Sequence, residues 1–474
     1  MYENIKNNLF QYLSVLFILG LFITNIENCF FGDTVQLGSK HASYYLECNF
    51  SHLLLPISID SGHIPSFGMY IAFVWKIFGR NLIVSHLAIL PFTLGIIWQL
   101  GKIVNYYFNK EHAGLVVFLL MLDPSLLSQI TLISPDVPLV FFFLLAWNSL
   151  LKNKKEVLMV AVFFLFLTSM RGMMISVCLL IIDILYNLNY KESIKNVFVV
   201  LVKRSMIYLP ALLLFISFST YHYLETGWIG FHEDSPWAEC FERPDFKGFL
   251  LNLGVLGWRI LDFGRIGIWL VFSILFLKYR KEIFRDKQTL SLLFIFLCFL
   301  VILPANMVWA KNLLGHRYLI PVYLTFAIFV AKILFSLCIN LRLKRILIIV
   351  WFVSLVSGNF WVYPDKISQG WDSTLAHLPY YDLRKQAINY IEEQNIDFNR
   401  VQSFFPNTAL IDNIDLNGDT RNFENYSKGA EYVFYSNAYN ISDEIYDAIT
   451  NDYKLVKEFK KSTVFIKIYK RSAY

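Results

Sequence analysis

The sequence predicts a mainly α-helical protein: a polytopic transmembrane helix bundle carrying a small α/β domain outside the membrane. Three observations carry that expectation. Of the 474 residues, 56% are hydrophobic and only 16% charged, whereas soluble domains are nearer a quarter charged; the mean hydropathy is +0.49. Apolar runs of bilayer-crossing length recur up to about residue 362. Beyond that point the composition turns to that of a soluble domain.

The apolar runs fall near 9–27, 82–106, 112–130, 137–151, 156–170, 173–188, 203–222, 264–279, 289–308, 317–339 and 343–362, about eleven crossings. Those at 137–151 and 156–170 are short for a full crossing. The first run follows Lys6 and lacks a small-x-small cleavage site, so it is expected to stay as an anchor.

Lys and Arg set the orientation. With the N-terminus in the cytoplasm, alternate loops hold Lys110; Lys152, Lys154 and Lys155; Lys191, Lys195, Lys203 and Arg204; Lys278, Arg280, Lys281, Arg285 and Lys287; and Arg342, Lys344 and Arg345. Nearly all clustered cations then share one side. The expectation is a multi-pass inner (plasma) membrane protein whose C-terminal domain lies in the periplasm or its equivalent. Residues 1–362 form the membrane domain with long outer loops 28–81 and 223–262, and 363–474 form the soluble domain.

Aromatic residues at 17%, 44 of them Phe, suit lipid-facing helices and interfacial belts. The net charge of +6 sits in short loops and forms no stripe, so no nucleic-acid partner is expected. Cys178, Cys298 and Cys338 fall inside apolar spans. Cys29, Cys48 and Cys240 fall in outer loops, which leaves a Cys29–Cys48 disulfide as one option. Without a CxxC or a Cys/His cluster, no metal site is expected.

Within loop 28–81, Pro65 to Phe78 is too short to span and is expected to lie in the interface. Loop 223–262 carries Trp228, Trp237 and Trp258 at the headgroup level. In the tail, Leu383, Ala387, Ile388 and Ile391 predict a helix over 380–395. Arg400 to Phe404, Tyr432 to Tyr435 and the alternating run at 464–469 predict strands. Ser442 with Asp443 and Glu444 predicts a helix start.

Candidate chemistry gathers in the outer loops. Asp33, in Phe31-Gly32-Asp33, is placed to deprotonate an acceptor hydroxyl at the membrane surface, or else to cap a short interfacial helix. Asp123 and Asp136 flank the next outer turn, where an acid also offsets a helix dipole. Lys311, His316 and Arg317 form a basic group on the side where cations are sparse. That group asks for a local anion such as a lipid phosphate, or else snorkels in the interface. Arg171 can pair with Asp136 or Asp123, or reach a phosphate; His63, Arg243, Arg259 and Arg265 are weaker candidates. Glu233, Asp234 and Glu239 cluster around Trp237, as an acceptor pocket or a solvated face.

These pieces, in this order, resemble the GT-C glycosyltransferases, in the branch of the protein O-mannosyltransferases and the lipid A aminoarabinose transferases. The matching elements are Asp33 after the first span, His63-Ile64-Pro65 entering a juxtamembrane helix that ends Phe78-Gly79, and Asp136-Val137-Pro138. Thr168-Ser169-Met170-Arg171-Gly172 and His316-Arg317-Tyr318-Leu319-Ile320-Pro321 complete the set. The likeness covers roughly residues 1–340. It implies a GT-C-like bundle in which Asp33 is the catalytic base and Asp136 the second acid, orienting the acceptor or a basic partner. It implies that His63, Arg171 and Arg317, with Lys311 and His316 beside them, hold the phosphate of a polyprenyl-phosphate sugar. His63 stands where the family has Lys, so its charge would respond to pH near neutrality; Arg171 stands for another Lys.

The implied reaction moves a sugar from the lipid carrier to an acceptor hydroxyl of a glycan, lipid or protein, with inversion. It needs no cofactor: the carrier phosphate is already a good leaving group. Two other readings use the same inventory. A lipid-linked polysaccharide polymerase or ligase would use the same donors, and a transporter or flippase of such lipids would show repeated halves and mid-span ionisable residues, which the sequence lacks.

Overall fold

The computed structural model describes residues 2–472 except 189–193, 234–237, 239–241 and 312–314. Its helices are α1 (Tyr2–Asn25), α2 (His41–Glu47), α3 (Ser66–Phe78), α4 (Leu82–Tyr107), α5 (Lys110–Met121), α6 (Pro124–Thr131), α7 (Asp136–Leu151), α8 (Lys155–Thr168), α9 (Met170–Asn187) and α10 (Ile194–Thr226). They continue with α11 (Phe246–Leu261), α12 (Ile266–Ile283), α13 (Lys287–Ile302), α14 (Ala305–Val308), α15 (Ile320–Ser336) and α16 (Leu341–Gly358). A π-helical turn, Val35–Lys40, precedes α2.

All the expected apolar runs are largely helical, and the stretch from Pro65 to Phe78 forms the short helix α3. Two elements differ from the sequence reading. The run at 112–130 is broken: Asp123 caps a new helix, and α5 and α6 meet at 68°. The outer segment 223–262 is not all loop, because 246–261 forms α11 and meets α12 at 86°. It has no buried residue.

Among the described residues, five helices are long and apolar enough to cross a bilayer, or up to seven if each bent pair is one span. The difference from about eleven lies in length: α7 has 16 residues and α8 has 14. Helix α7 is nonetheless buried along most of its length, so neighbouring helices rather than lipid surround it. The central helix is α15. With the turn before it, 89% of its apolar window is buried, against 17% for the lipid-facing α10.

Away from the outer rim, Arg204 pairs with Asp183 and also donates to Asn153 (3.0 Å). Lys332 donates to the Tyr107 carbonyl (2.8 Å) and Gln288 (2.9 Å). The first set ties α9 to α10, and the second ties α15 to α4 and α13.

The C-terminal domain contains α17 (Pro379–Glu393), α18 (Ile411–Asp415), α19 (Asp443–Asp452) and a five-stranded mixed sheet. The strands are β1 (Val401–Ser403), β2 (Glu424–Asn425), β3 (Tyr432–Ser436), β4 (Tyr453–Lys461) and β5 (Val464–Arg471), in the order β2-β1-β3-β5-β4. Strand β1 pairs parallel with β2 and β3, and β5 pairs antiparallel with β3 and β4. Val464, Ile466 and Ile468 are buried while Phe465 and Lys467 are half-buried, as the alternation predicts. Ser442 caps α19 through Ile445 N (3.3 Å).

This domain is seated on the first outer loop. Arg80 pairs with Asp412 (2.8 Å), Ser39 Oγ donates to the Asn413 carbonyl, and Phe30 N donates to the Ile414 carbonyl (3.0 Å). Cys29 and Cys48 are both free thiols, so no disulfide joins them.

The turn between α11 and α12 is pressed onto α16. Gly264 has φ +78°, and a Cβ there would lie 1.9 Å from the Ser354 carbonyl oxygen. The obstacle is backbone, so no rotamer relieves it. Gly264→Ala should therefore cost about 1–3 kcal/mol, read as a lowered unfolding midpoint of detergent-purified protein. Gly254→Ala, where a Cβ meets nothing within 4 Å, is the control expected to be neutral.

Candidate active site

Asp33 is aimed by what precedes it. Phe31 is buried against His377 (ring centroids 5.2 Å, stacked) and the edge of Tyr380 (5.2 Å). Gly32 then turns the chain with φ +55°, a conformation cheap only for glycine. Thr34 closes that turn, accepting from Phe31 N (2.9 Å) and donating to the Phe31 carbonyl (2.8 Å). Asp33 is thereby freed from capping. Its Oδ2 accepts from Arg317 Nη2, and its side chain is 27% exposed.

Asp136 opens α7. Its amide donates to Ser134 Oγ (3.1 Å), and its carboxylate, 1% exposed, accepts from Arg171 Nη1. Its Oδ2 is buried without a hydrogen-bond partner, 3.7 Å from Arg317 Nε. Arg171 sits in the first turn of α9, capped by Ser169. The next residue, Gly172, lets α9 start against the end of α8: a Cβ there would meet the Leu165 carbonyl oxygen at 1.9 Å.

Arg317 is the hub. Its guanidinium faces Asp33 through Nη2, Asp372 through Nη1 (3.0 Å) and Asp136 through Nε. The Tyr318 ring lies between the two cations, 4.4 Å from Arg171 and 5.0 Å from Arg317, at cation–π range. Three carboxylates face two guanidiniums, so the group carries one surplus negative charge. Asp372 was not among the sequence candidates. It comes from the segment after α16, and its sequence, Trp371-Asp372-Ser373, carries no motif that marks it.

Asp33, His41, His63, Arg171, Arg317 and Tyr318 line one cavity, walled on one side by the start of α3. His63 Nδ1 is buried there without a hydrogen-bond partner. Burial, then the Arg171 charge, pushes the His63 imidazole from 6.5 down to about 4. His63 is therefore neutral at pH 7, and its charge does not respond near neutrality as the sequence reading expected.

The other candidates lie elsewhere. His316 is fully buried, bonded through Nε2 to Asp262 (2.8 Å), which also accepts from Tyr363 OH. Lys311 pairs with Glu242 at the surface and is not in the cavity lining. Glu233 is exposed, and Asp234 and Glu239 lie outside the described residues. Asp123 caps α6 and takes a two-pronged bond from Arg265 (2.8 Å each), so its part is structural. Arg243 donates to the Trp309 carbonyl (2.9 Å) and Arg259 to Tyr363 OH (2.9 Å).

Because the folded chain resists protonating His63, the unfolded chain takes up that proton first as pH falls. The stability held by the neutral ring is complete above pH 6.5 and is lost as pH drops to about 4. Thermal unfolding across that window should show a shallower pH slope in His63→Gln than in the natural chain. Identical slopes would place the titration elsewhere.

No known family model matches the sequence, and no curated protein matches it. Two solved structures do match in fold. One is ArnT from Cupriavidus metallidurans bound to undecaprenyl phosphate, at 12% identity and a TM-score of 0.52, over 96% of this chain and 97% of that one. The other is the same protein in the apo state, with a TM-score of 0.53 at the same identity and coverage. At this identity the likeness is one of architecture, and it spans both the bundle and the C-terminal sheet. The chain shares the fold of ArnT.

Proposed function

We propose that this protein is a membrane glycosyltransferase that moves a sugar from a polyprenyl-phosphate-linked donor to an acceptor hydroxyl, in one inverting displacement at the outer membrane surface. The observation that carries the reading is the meeting of Asp33, Arg171 and Arg317, from three distant segments, in one cavity beside an interfacial helix. The ArnT structure with undecaprenyl phosphate bound supports the class of donor.

On this reading Arg171 and Arg317 hold the donor phosphate through paired N–H donors. Asp136, bonded to one and close to the other, fixes their spacing. The acceptor oxygen attacks the anomeric carbon while the bond to the phosphate oxygen breaks, and that electron pair leaves on the phosphate. Asp33, paired with Arg317 and open to the cavity, takes the acceptor's proton. Its Oδ1 accepts no hydrogen bond among the described residues and is the oxygen for that task. Neutral His63 contributes a hydrogen bond rather than a charge. The lysines and arginines clustered at the helix ends away from the cavity support an N-terminus in the cytoplasm and a C-terminal domain outside.

Asp33→Asn should lower transfer from polyprenyl-phosphate sugars by roughly 10²–10⁴-fold while the protein stays folded and still binds undecaprenyl phosphate. Undiminished turnover in that variant removes Asp33 from the chemistry. For orientation, Asn440→Cys in a cysteine-free background should react with impermeant maleimide added outside spheroplasts. Labelling only after lysis reverses the assignment.

A further inference from the structure

Asp372 belongs to neither the bundle nor the sheet. It lies in a 3-10 turn, Trp371–Ser373, on the segment joining α16 to α17. Its main chain is fastened to α6: the Asp372 carbonyl accepts from Ser128 Oγ (2.7 Å) and Gln129 Nε2 (2.6 Å), and the Ser373 carbonyl from Ser125 Oγ (3.3 Å). Gln129 is itself held by Ser134 Oγ, whose oxygen also receives the Asp136 amide. One short network therefore sets both Asp136 and Asp372 relative to Arg317. The break at Asp123 has a use here, because a straight helix through 112–130 would not present these three donors to the turn.

The carboxylate of Asp372 contacts Arg317 Nη1 at 3.0 Å, opposite the nitrogen that serves Asp33. A third acid beside Asp33 and Asp136 is unfavourable for stability alone, since the two guanidiniums of Arg171 and Arg317 cannot fully offset three carboxylates. Burial pushes the Asp372 carboxyl up, Arg317 opposes, and Asp33 and Asp136 push it further. Asp372 does not line the cavity, so it acts through Arg317.

We propose that Asp372 is a positioning residue for the transfer: it occupies one end of the Arg317 guanidinium, so that Arg317 orients Asp33 without fully neutralising it. This rests on the glycosyltransferase reading above. The groups facing Asp33 are Arg317 and Tyr318, with Asp372 and Asp136 behind Arg317, and His41 and His63 in the same cavity lining. Burial pushes both histidines down to about 4, so at neutral pH the charge felt by Asp33 is set by Arg317, its two other acids, and Arg171 beside Asp136 in the same cavity lining. Removing the Asp372 charge leaves Arg317 to Asp33 and to the donor phosphate. Asp33 then becomes a weaker base, and the phosphate a better ligand.

The test compares the full-length protein with Asp372→Asn, using a polyprenyl-phosphate sugar for turnover and undecaprenyl phosphate for affinity. Asp372→Asn is expected to lower kcat roughly three- to tenfold, for about one unit of lost basicity. It should also bind undecaprenyl phosphate more tightly and move the acid limb of the pH–rate profile to lower pH. Asp372→Glu, which keeps the charge, should leave that limb in place. A variant with unchanged turnover, affinity and pH limb overturns the proposal. So does one that loses both kcat and affinity with the limb unmoved, which is the signature of structural support alone. If Asp372→Asn does not fold, Asp372→Ser carries the same three readouts. A natural chain that transfers no polyprenyl-phosphate sugar sinks the glycosyltransferase reading instead, and the affinity comparison still decides the Asp372–Arg317 coupling.

Discussion

One face of this protein is organised around one buried cation. Arg317 lies on a turn leading into the most buried of the helices long enough to cross a bilayer among the described residues, and its three nitrogens face carboxylates from three otherwise unrelated parts of the chain. Leaving such a guanidinium unpaired is costly, about 3–5 kcal/mol for a broken buried pair, and Asp33 and Asp372 take their ion pairs from it. The first outer loop, the start of α7 and the segment after α16 are thus fixed to one point. Arg171, bonded to Asp136 and stacked over Tyr318, widens the point into a pair of cations at the cavity wall.

Other ion pairs near the rim hold the elements that carry this group. Arg265 bonds Asp123 and Ser125, fixing α6 to the start of α12. His222 contacts Asp60 at 2.9 Å and brings the end of α10 onto the first loop, where Gly62 and Gly230 touch backbone to backbone. The C-terminal domain grips the same loop through Arg80–Asp412 and the Phe31 ring stack. That domain shows no site in its sequence, yet its leading segment supplies Asp372. It is a wall of the site as much as a separate unit.

How much of this was legible in the sequence depended on the range of the interaction. Apolar runs, caps and strand alternation are local, so the helices, the Ser442 cap and β5 were readable from residues alone. Asp33, Arg171 and Arg317 were singled out by their sidedness, a consequence of topology that charge counting captures. Their partners were not. Asp372 pairs with a residue in a distant segment, and nothing local distinguishes it from any acid in a polar tail. Asp123 shows the reverse error of emphasis: it looked like a candidate until Arg265 claimed both its oxygens. His316, adjacent to Arg317, turned inward to Asp262 because successive residues in a tight turn point in different directions. Helix α11 was passed over because an amphipathic helix lying flat has too little apolar character to register as a span.

The charge balance has a mechanistic consequence. Three acids and two guanidiniums leave the cluster negative, and the two cavity histidines cannot add charge near neutrality. A phosphate entering beside them makes the local balance worse unless it takes over nitrogens that the acids now hold. Arg317 is the residue where that exchange is possible, because it already divides its donors among several partners. On the glycosyltransferase reading, the Asp33–Arg317 contact is therefore a resting arrangement. Donor binding draws Arg317 toward the phosphate, and Asp33, losing part of its counter-charge, gains basicity as the acceptor's proton must be removed. The same cation then both holds the leaving group and regulates the base, which is why its other acids bear on the rate without touching either substrate.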